Sequence, residues 1–255
     1  MESLFSQDLA DIVNLSVLTA ILFIVIFMRY IILSGLYHLL FFKVFRNEFS
    51  RRFLHRKSIE TKQIRLEIKW SLISAALFSF AGSGMLLAWQ KGYSLIYTDL
   101  HAYAWWWLPL SFALYMLIHE TYYYWLHRWM HQPKVYKAIH KVHHESIYTN
   151  SFTSFSFHPV ESVLQAAIIP LLTFIVPIHW ILLLILLLLM TISAIVNHAG
   201  VEVYPDNKII HKNLIGATHH DLHHKQFRFN FGLYFTFWDR WMKTESPDTY
   251  KPRNK

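Results

Sequence analysis

The sequence predicts an all-α integral membrane protein, with about four to five transmembrane helices beneath a cytoplasmic, histidine-rich helical cap. Three observations carry this. The 255 residues are 54% hydrophobic with a mean hydropathy of +0.26, too apolar for an ordinary soluble domain. The apolar residues collect in stretches that approach the roughly 20 needed to cross a bilayer as a helix. The 17 histidines, an unusual number, crowd where those stretches end. The 10 Trp and 14 Tyr suit membrane interfaces. With no Cys, thiolate ligands, disulfides and Cys nucleophiles are excluded, and the redox compartment is not readable. The net charge of +8 fits cytoplasmic loops beside anionic lipid better than nucleic-acid binding. The acidic N-terminus (Glu2, Asp8, Asp11) lacks the basic region of a cleavable signal peptide. One membrane-embedded domain is expected over 1–255, in a bacterial inner membrane rather than the endoplasmic reticulum, given the compact chain.

The elements follow in order. Residues 12–42 form a first span, with Arg29 snorkelling or lying near the cytoplasmic face. Lys43 to Lys69 is strongly basic (Arg46, Arg51, Arg52, Arg56, Lys57, Lys62, Arg65) and is therefore cytoplasmic, as a topology signal or, more sharply, a docking site for an electron donor. A second span covers 70–89, with aromatics at both ends. Lys91 to Ala104 carries a single basic residue, as an outside loop should. A third span, 105–126, runs directly into His127, which emerges on the side of the basic loop. Gln132-Pro133 interrupts the helix and Lys134 to Glu145 restarts it. Thr149 to Phe157 alternates small polar residues with Phe and reads as an interfacial loop or substrate roof. His158-Pro159-Val160-Glu161 starts a helix, with Pro at its first position and a carboxylate in its first turn. Spans 160–176 and 178–197 make a hairpin, fully crossing or shallow, that returns the chain at Asn197-His198. Segments 127–158 and 198–245 form the cap.

The histidines of the cap have helical spacing. His127 and His131 are four apart and share a face. His140, His143 and His144 follow the pattern i, i+3, i+4, which again gives one face, and His220, His223 and His224 repeat it. Eight imidazoles exceed what one ion can take, so two metals are expected, and neutral imidazole suits Fe, Zn, Cu and Ni. Oxygen activation explains such a site at a lipid boundary: an unactivated C–H bond needs an oxidant that no side chain supplies. No GxSxG, P-loop or GxGxxG is present, so electrons must come from another protein. A zinc hydrolase is a rival, but the single His-Glu pair, His119-Glu120, has Tyr123 where HExxH needs histidine. A metal transporter or metal-binding membrane protein is another, though transporter sites lie near the midplane and these histidines crowd one end of the spans.

These residues resemble the fatty acid hydroxylase superfamily, and within it the sterol desaturase branch, over roughly Glu120 to Thr244. The likeness rests on the HxxxH and two HxxHH motifs, on Glu120, Tyr124, Trp125 and Arg128, and on the SFSFHPVE segment (His158, Glu161). NHAG (His198, Gly200) and NFGLYFTFWDR (Asn230, Gly232, Trp238, Asp239) complete it. Sterol C5-desaturases are most similar. Two positions depart: Ala199 stands where C5-desaturases tend to carry an acidic residue, and Lys243 where many members carry Gly. The resemblance implies a membrane-bound non-haem di-iron oxygenase with His158 and His198 as further ligands. It also implies O2 as co-substrate, a sterol-like or fatty acyl lipid from the bilayer, and electrons from a cytochrome b5-, ferredoxin- or flavoprotein-type donor. Nucleic acid is not an expected partner.

Glu120, Glu161 and Asp221 are expected to accept the second ring N–H of ligating imidazoles. His219, about 100° around the helix from His220, reads as adjacent rather than ligating. His119 reads as a buried, hydrogen-bonded histidine or pocket residue, and Phe227 to Trp241 as packing against lipid or the bundle. His38, His55, His101, His179 and His211 show no pattern.

Overall fold

A computed structural model describes residues 7–55 and 59–250. Arg56 and Lys57 of the basic segment, and Glu2, lie outside the described residues. Helix α1 (Ile12–Leu39) starts at Asp11, whose carboxylate accepts from the N–H groups of Val13 and Asn14. It is apolar on all sides, as a lipid-facing helix is, and runs into a π-helical turn, Leu40–Val44. Helix α2 spans Thr61–Gln90, so it begins well before the expected Trp70. The basic residues Lys62, Arg65 and Lys69 can stay helical because the helix projects beyond the apolar layer and their long side chains reach solvent. The two helices run antiparallel. Leu9 N–H donates to Gln90 Oε1 at one end, and α2 carries a row of buried small residues, Ser71, Ser74, Ala75, Ser79 and Ser83, of which Ser74 Oγ shares a hydrogen bond with Ser162 Oγ (2.8 Å).

Strand β1 (Ile96–Tyr97) then pairs in parallel with β2 (Ile178–His179), with Ile96 opposite Ile178. This short ladder ties the loops at the far end of the bundle. Helix α3 (Trp107–Met130) runs from that end toward the cap. There the chain takes a short α4 (Pro133–Val135), a π-helical turn Tyr136–His140, and α5 (Lys141–His144). Residues Ser151–Phe155 form a 3-10 turn. Helix α6 (Pro159–Thr173) has Pro159 in its first turn and continues through Pro170, ending before the expected Val176. Helix α7 (Trp180–His198) returns to the cap, which closes with α8 (Lys208–Asn213), α9 (Ala217–Gln226) and α10 (Phe237–Trp241). The apolar core of Tyr115, Ile169, Leu172, Ile178, Leu183 and Leu186 lies toward the ladder end.

Among the described residues, Ile12–Val44, Thr61–Gln90 and Trp180–His198 are long and apolar enough to cross a membrane, and Pro159–Thr173 is apolar but shorter. Helix α3 has the length, but its cap-side half carries His119, Glu120, three tyrosines, His127 and Arg128, which lowers its hydropathy.

The segment expected as an interfacial roof is buried instead. Thr149, Asn150, Ser151, Thr153, Ser154 and Ser156 are all buried, and Glu67 of α2 reaches among them. Its carboxylate accepts from Ser146 Oγ (2.6 Å), Asn150 Nδ2 (2.7 Å) and Thr153 Oγ1 (2.9 Å). A carboxylate so supplied with donors can be buried without prohibitive cost. From α1, Tyr30 Oη and Ser34 Oγ donate to the carbonyls of Phe152 and Ser151. The polar loop thus becomes a plug between the first two helices and the histidine cap.

Candidate metal centre

Helices α3 and α7 both end at the cap. His127 lies in the last turn of α3, His131 caps it, and His198 is the last residue of α7. The carbonyl-rich ends of two helices therefore converge, a field that favours cations. The chain folds nine of the ten expected ligands into two groups, each with ligand atoms within 4.8 Å of one another. One holds His127, His131, His140, His144 and His223. The other holds His143, His198, His220 and His224.

The histidines of each HxxHH motif, expected on one face, are instead shared crosswise between the two groups. His140 and His144 enter the first group while His143 enters the second. His220 and His224 enter the second group while His223 enters the first. Helical geometry dictates this: residues i and i+4 lie about 40° apart around the axis, whereas i+3 falls about 100° from i+4. Each motif therefore faces its own centre with one pair and lends a single ring to the other.

The protons on these rings can be assigned. Nδ1–H of His127 donates to Phe231 O (2.9 Å), of His223 to Phe229 O (2.7 Å), of His198 to Ala194 O (2.7 Å) and of His143 to Ser156 O (3.3 Å). His140 Nδ1–H donates to Glu161 Oε1 (2.9 Å). A carbonyl can only accept, so a neutral ring bonded this way presents Nε2 as a bare lone pair. Two such lone pairs face one another, His143 Nε2 and His198 Nε2 at 3.1 Å, and His220 Nε2 lies 2.8 Å from His198 Nε2. In the first group His144 Nε2 lies 3.1 Å from His140 Nε2, 3.1 Å from His223 Nε2 and 3.2 Å from His131 Nε2. His127 Nε2 and both ring nitrogens of His224 are buried without a hydrogen-bond partner.

Such spacings fit metal ligation. Bonds of about 2.0–2.1 Å from imidazole to a divalent metal put neighbouring ligand nitrogens about 2.9–3.4 Å apart. The alternative, protonation, is opposed. Burial first, and then the facing rings, hold His140, His143, His144, His220, His223 and His224 well below the usual imidazole value. His131, half-buried, is displaced the same way for the same reasons.

His158 stands outside both groups, a correction to its expected role as a ligand. It is the residue before α6, and its Nδ1 accepts the N–H of Val160 at 3.3 Å, with its ring near Trp70. A local capping duty, imposed by Pro159 behind it, turns the imidazole away. Of the three carboxylates expected to orient ligands, Glu161 alone does so directly. Glu120 accepts from main-chain N–H groups, and Asp221 Oδ1 lies 3.0 Å from Nε2 of His55 while its Oδ2 takes Lys225 Nζ (2.6 Å). Sequence reasoning passed over His55, which has no neighbour in the sequence to mark it. His119 is buried with Nδ1 3.2 Å from Tyr234 Oη, and His219 is buried against Tyr250.

A family model described as fatty acid hydroxylase matches residues 112–244. The chain belongs to the fatty acid hydroxylase family. Every member of the two histidine groups of this fatty acid hydroxylase lies within the matched span. The chain is 31% identical over 193 residues to a Delta(7)-sterol 5(6)-desaturase of Gibberella zeae, covering 76% of this chain and 59% of that protein. It is 34% identical over 180 residues to the lathosterol oxidase of Homo sapiens, covering 70% of this chain and 60% of the human protein. The chain spans only about three fifths of the length of these relatives. No solved structure gives a significant match. Lys243 has a positive φ of 57°, a backbone conformation that glycine adopts without steric cost.

Proposed function

We propose that this fatty acid hydroxylase is a membrane-bound oxidoreductase that hydroxylates or desaturates a lipid C–H, using O2 and electrons from a separate protein. The observation that carries the reading is the pair His143 and His198. Both spend their Nδ1 protons on carbonyls, yet their Nε2 atoms stand 3.1 Å apart in a buried site, an arrangement that a cation between them relieves. With it go the family membership and the names of the relatives.

Two iron ions, one per histidine group, would supply the O2-derived oxidising power that side chains lack. The five-histidine group would hold its ion with His127, His131, His140, His144 and His223. The four-histidine group would hold the other with His143, His198, His220 and His224 and leave more room for an exogenous ligand. The protein's share is to fix ring tautomers, exclude water and present the site where apolar helices end. Glu161 raises the basicity of His140 through its Nδ1–H bond. A substrate in the bilayer, sterol-like or fatty acyl, approaches from the helices. The electron donor, of cytochrome b5-, ferredoxin- or flavoprotein type, approaches from the cap. Transporter function fits poorly, because such sites lie near the membrane midplane whereas these histidines gather at helix ends.

The test is expression of the chain with and without His143→Ala, followed by metal analysis and comparative lipid mass spectrometry. The expected outcome is two iron ions per chain in the parent and a lipid changed by one oxygen or two hydrogens, both diminished in the variant. Full lipid conversion by His143→Ala would rule the reading out.

A further inference from the structure

The stretch Asn230-Phe231-Gly232-Leu233-Tyr234 has no regular secondary structure, yet it is buried and its backbone is held at every step. Phe231 N–H and Gly232 N–H donate to Asp239 Oδ1 and Oδ2, both at 2.9 Å. Leu233 N–H and Tyr234 N–H donate to Glu120 Oε1 (3.1 Å) and Oε2 (2.8 Å). Four consecutive amides are thus taken by the four oxygens of two buried carboxylates, one from α3 and one from α10. Thr244 Oγ1 adds a bond to Asp239 Oδ1 (2.8 Å), and Asn230 N–H donates to Thr244 O (2.8 Å). Gly232 is required by space: a Cβ there would stand 3.0 Å from Glu120 Oε1 and 2.6 Å from Phe235 O.

Fixing the N–H groups fixes the carbonyls. Phe231 O receives His127 Nδ1–H, and Phe229 O, just before the clamped stretch, receives His223 Nδ1–H. Both rings belong to the five-histidine group. The four-histidine group draws its known Nδ1 acceptors, Ala194 O and Ser156 O, from α7 and from the plug loop instead.

We propose that Glu120 and Asp239 are positioning residues for the five-histidine group alone, acting by clamping the 231–234 backbone whose neighbouring carbonyls set the tautomer and aim of His127 and His223. The inference rests on the metal-centre reading above. Neither carboxylate touches a ligand ring, so their effect travels through main-chain atoms.

Glu120→Gln and Asp239→Asn are the tests. Each amide keeps the volume but replaces one acceptor oxygen by an NH2 that faces a backbone N–H. Purified parent and variants in detergent are titrated with Co(II) against a competing chelator, and the absorption bands of the bound ion are followed. The parent is expected to show two classes of site. In either variant one class weakens about 10- to 100-fold, as for loss of other outer partners of metal ligands, with altered bands, while the other class keeps its affinity and spectrum. Thr244→Val, which removes the bonds from Thr244 Oγ1 to Asp239 and to Tyr124 Oη but leaves both carboxylates on the backbone, gives a smaller shift in the same class and serves if the amide variants do not fold. Glu161→Gln identifies the class, since it acts on His140 of the same group. Equal weakening of both classes, or none, overturns the proposal. A parent that binds no metal overturns the metal-centre reading instead, so the two failures are distinct.

Discussion

His223 and His224 are neighbours in sequence, yet the fold sends them to different centres, and alanine at each should remove a different metal. Structural four-ligand zinc sites bind with about 10–16 kcal/mol, or about 2.5–4 kcal/mol per ligand. Loss of one imidazole should therefore weaken its own centre by a factor on the order of 10² to 10³. The other centre keeps all its ligands. The assay is metal stoichiometry after equilibration with a chelator chosen to strip the weakened site only. Each single variant, His223→Ala or His224→Ala, is expected to retain one ion per chain. The doubles discriminate. His140→Ala with His223→Ala damages one centre twice and still retains one ion, whereas His223→Ala with His224→Ala retains none. Likewise His143→Ala with His220→Ala retains one. If the paired neighbours instead behave as one site, with the 223/224 double keeping an ion, the crosswise sharing is wrong and each HxxHH motif serves a single metal.

Acidity should release the metals with a definite sign. Burial lowers the folded-state values of His131, His140, His143, His144, His220, His223 and His224 below the unfolded value of about 6.5. Below that pH the unfolded chain binds protons that the folded chain refuses, so stability falls as pH drops, by up to about 1.4 kcal/mol per pH unit for each such ring, and is flat above it. Thermal unfolding and metal content between pH 8 and 5 check this, and a pH-independent profile would contradict it. Lys243→Gly should stabilise the fold by about 1 kcal/mol, because the exposed lysine occupies the left-handed region at φ 57°. Chemical denaturation in detergent reads the difference, and destabilisation would show that the side chain matters more than the backbone.

Much of this arrangement is legible in the sequence, and its limits have physical causes. The histidine spacing marks the ligands but reads each HxxHH motif as one face, whereas the angle of about 100° between i+3 and i+4 sends adjacent rings to different centres. Periodicity also marks α1, α2 and α7, whose apolar runs need no partner to be recognised. What periodicity misses is non-local. Glu67 sits among Lys62, Arg65 and Lys69 and reads as one charge on a solvated face. It is buried because Ser146, Asn150 and Thr153, some 80 residues later, bring the donors that make burial tolerable. His158 misleads for the opposite reason. Its local context, a residue before Pro at a helix start, outweighs the pull of the family motif. The aromatic run after Phe227 reads as packing, which Trp238 against Tyr124 bears out at a ring separation of 5.6 Å. Its backbone carbonyls, invisible in side-chain patterns, anchor two of the ligands.

The two ends of the bundle are held by different physics, and this bears on how metal and fold depend on each other. At the ladder end, Tyr115, Leu172, Ile178 and Leu186 pack without polar side chains between them, and Tyr115 Oη donates to Val176 O. That end has no need of an ion. At the cap, α3, α5, α7 and α9 bring the nine imidazoles of the two groups together, and His143 and His198 oppose bare Nε2 lone pairs. Without a cation between them, that pair is repulsive. Metal binding therefore carries much of the free energy that joins the cap to the helices, as it does in small metal-dependent domains. Stripping the ions should then loosen α5 and α9 while α1, α2 and the ladder end stay folded. Hydrogen exchange on metal-free and metal-loaded protein would separate the two ends, and uniform protection in both states would show that the cap packs well enough without its ions.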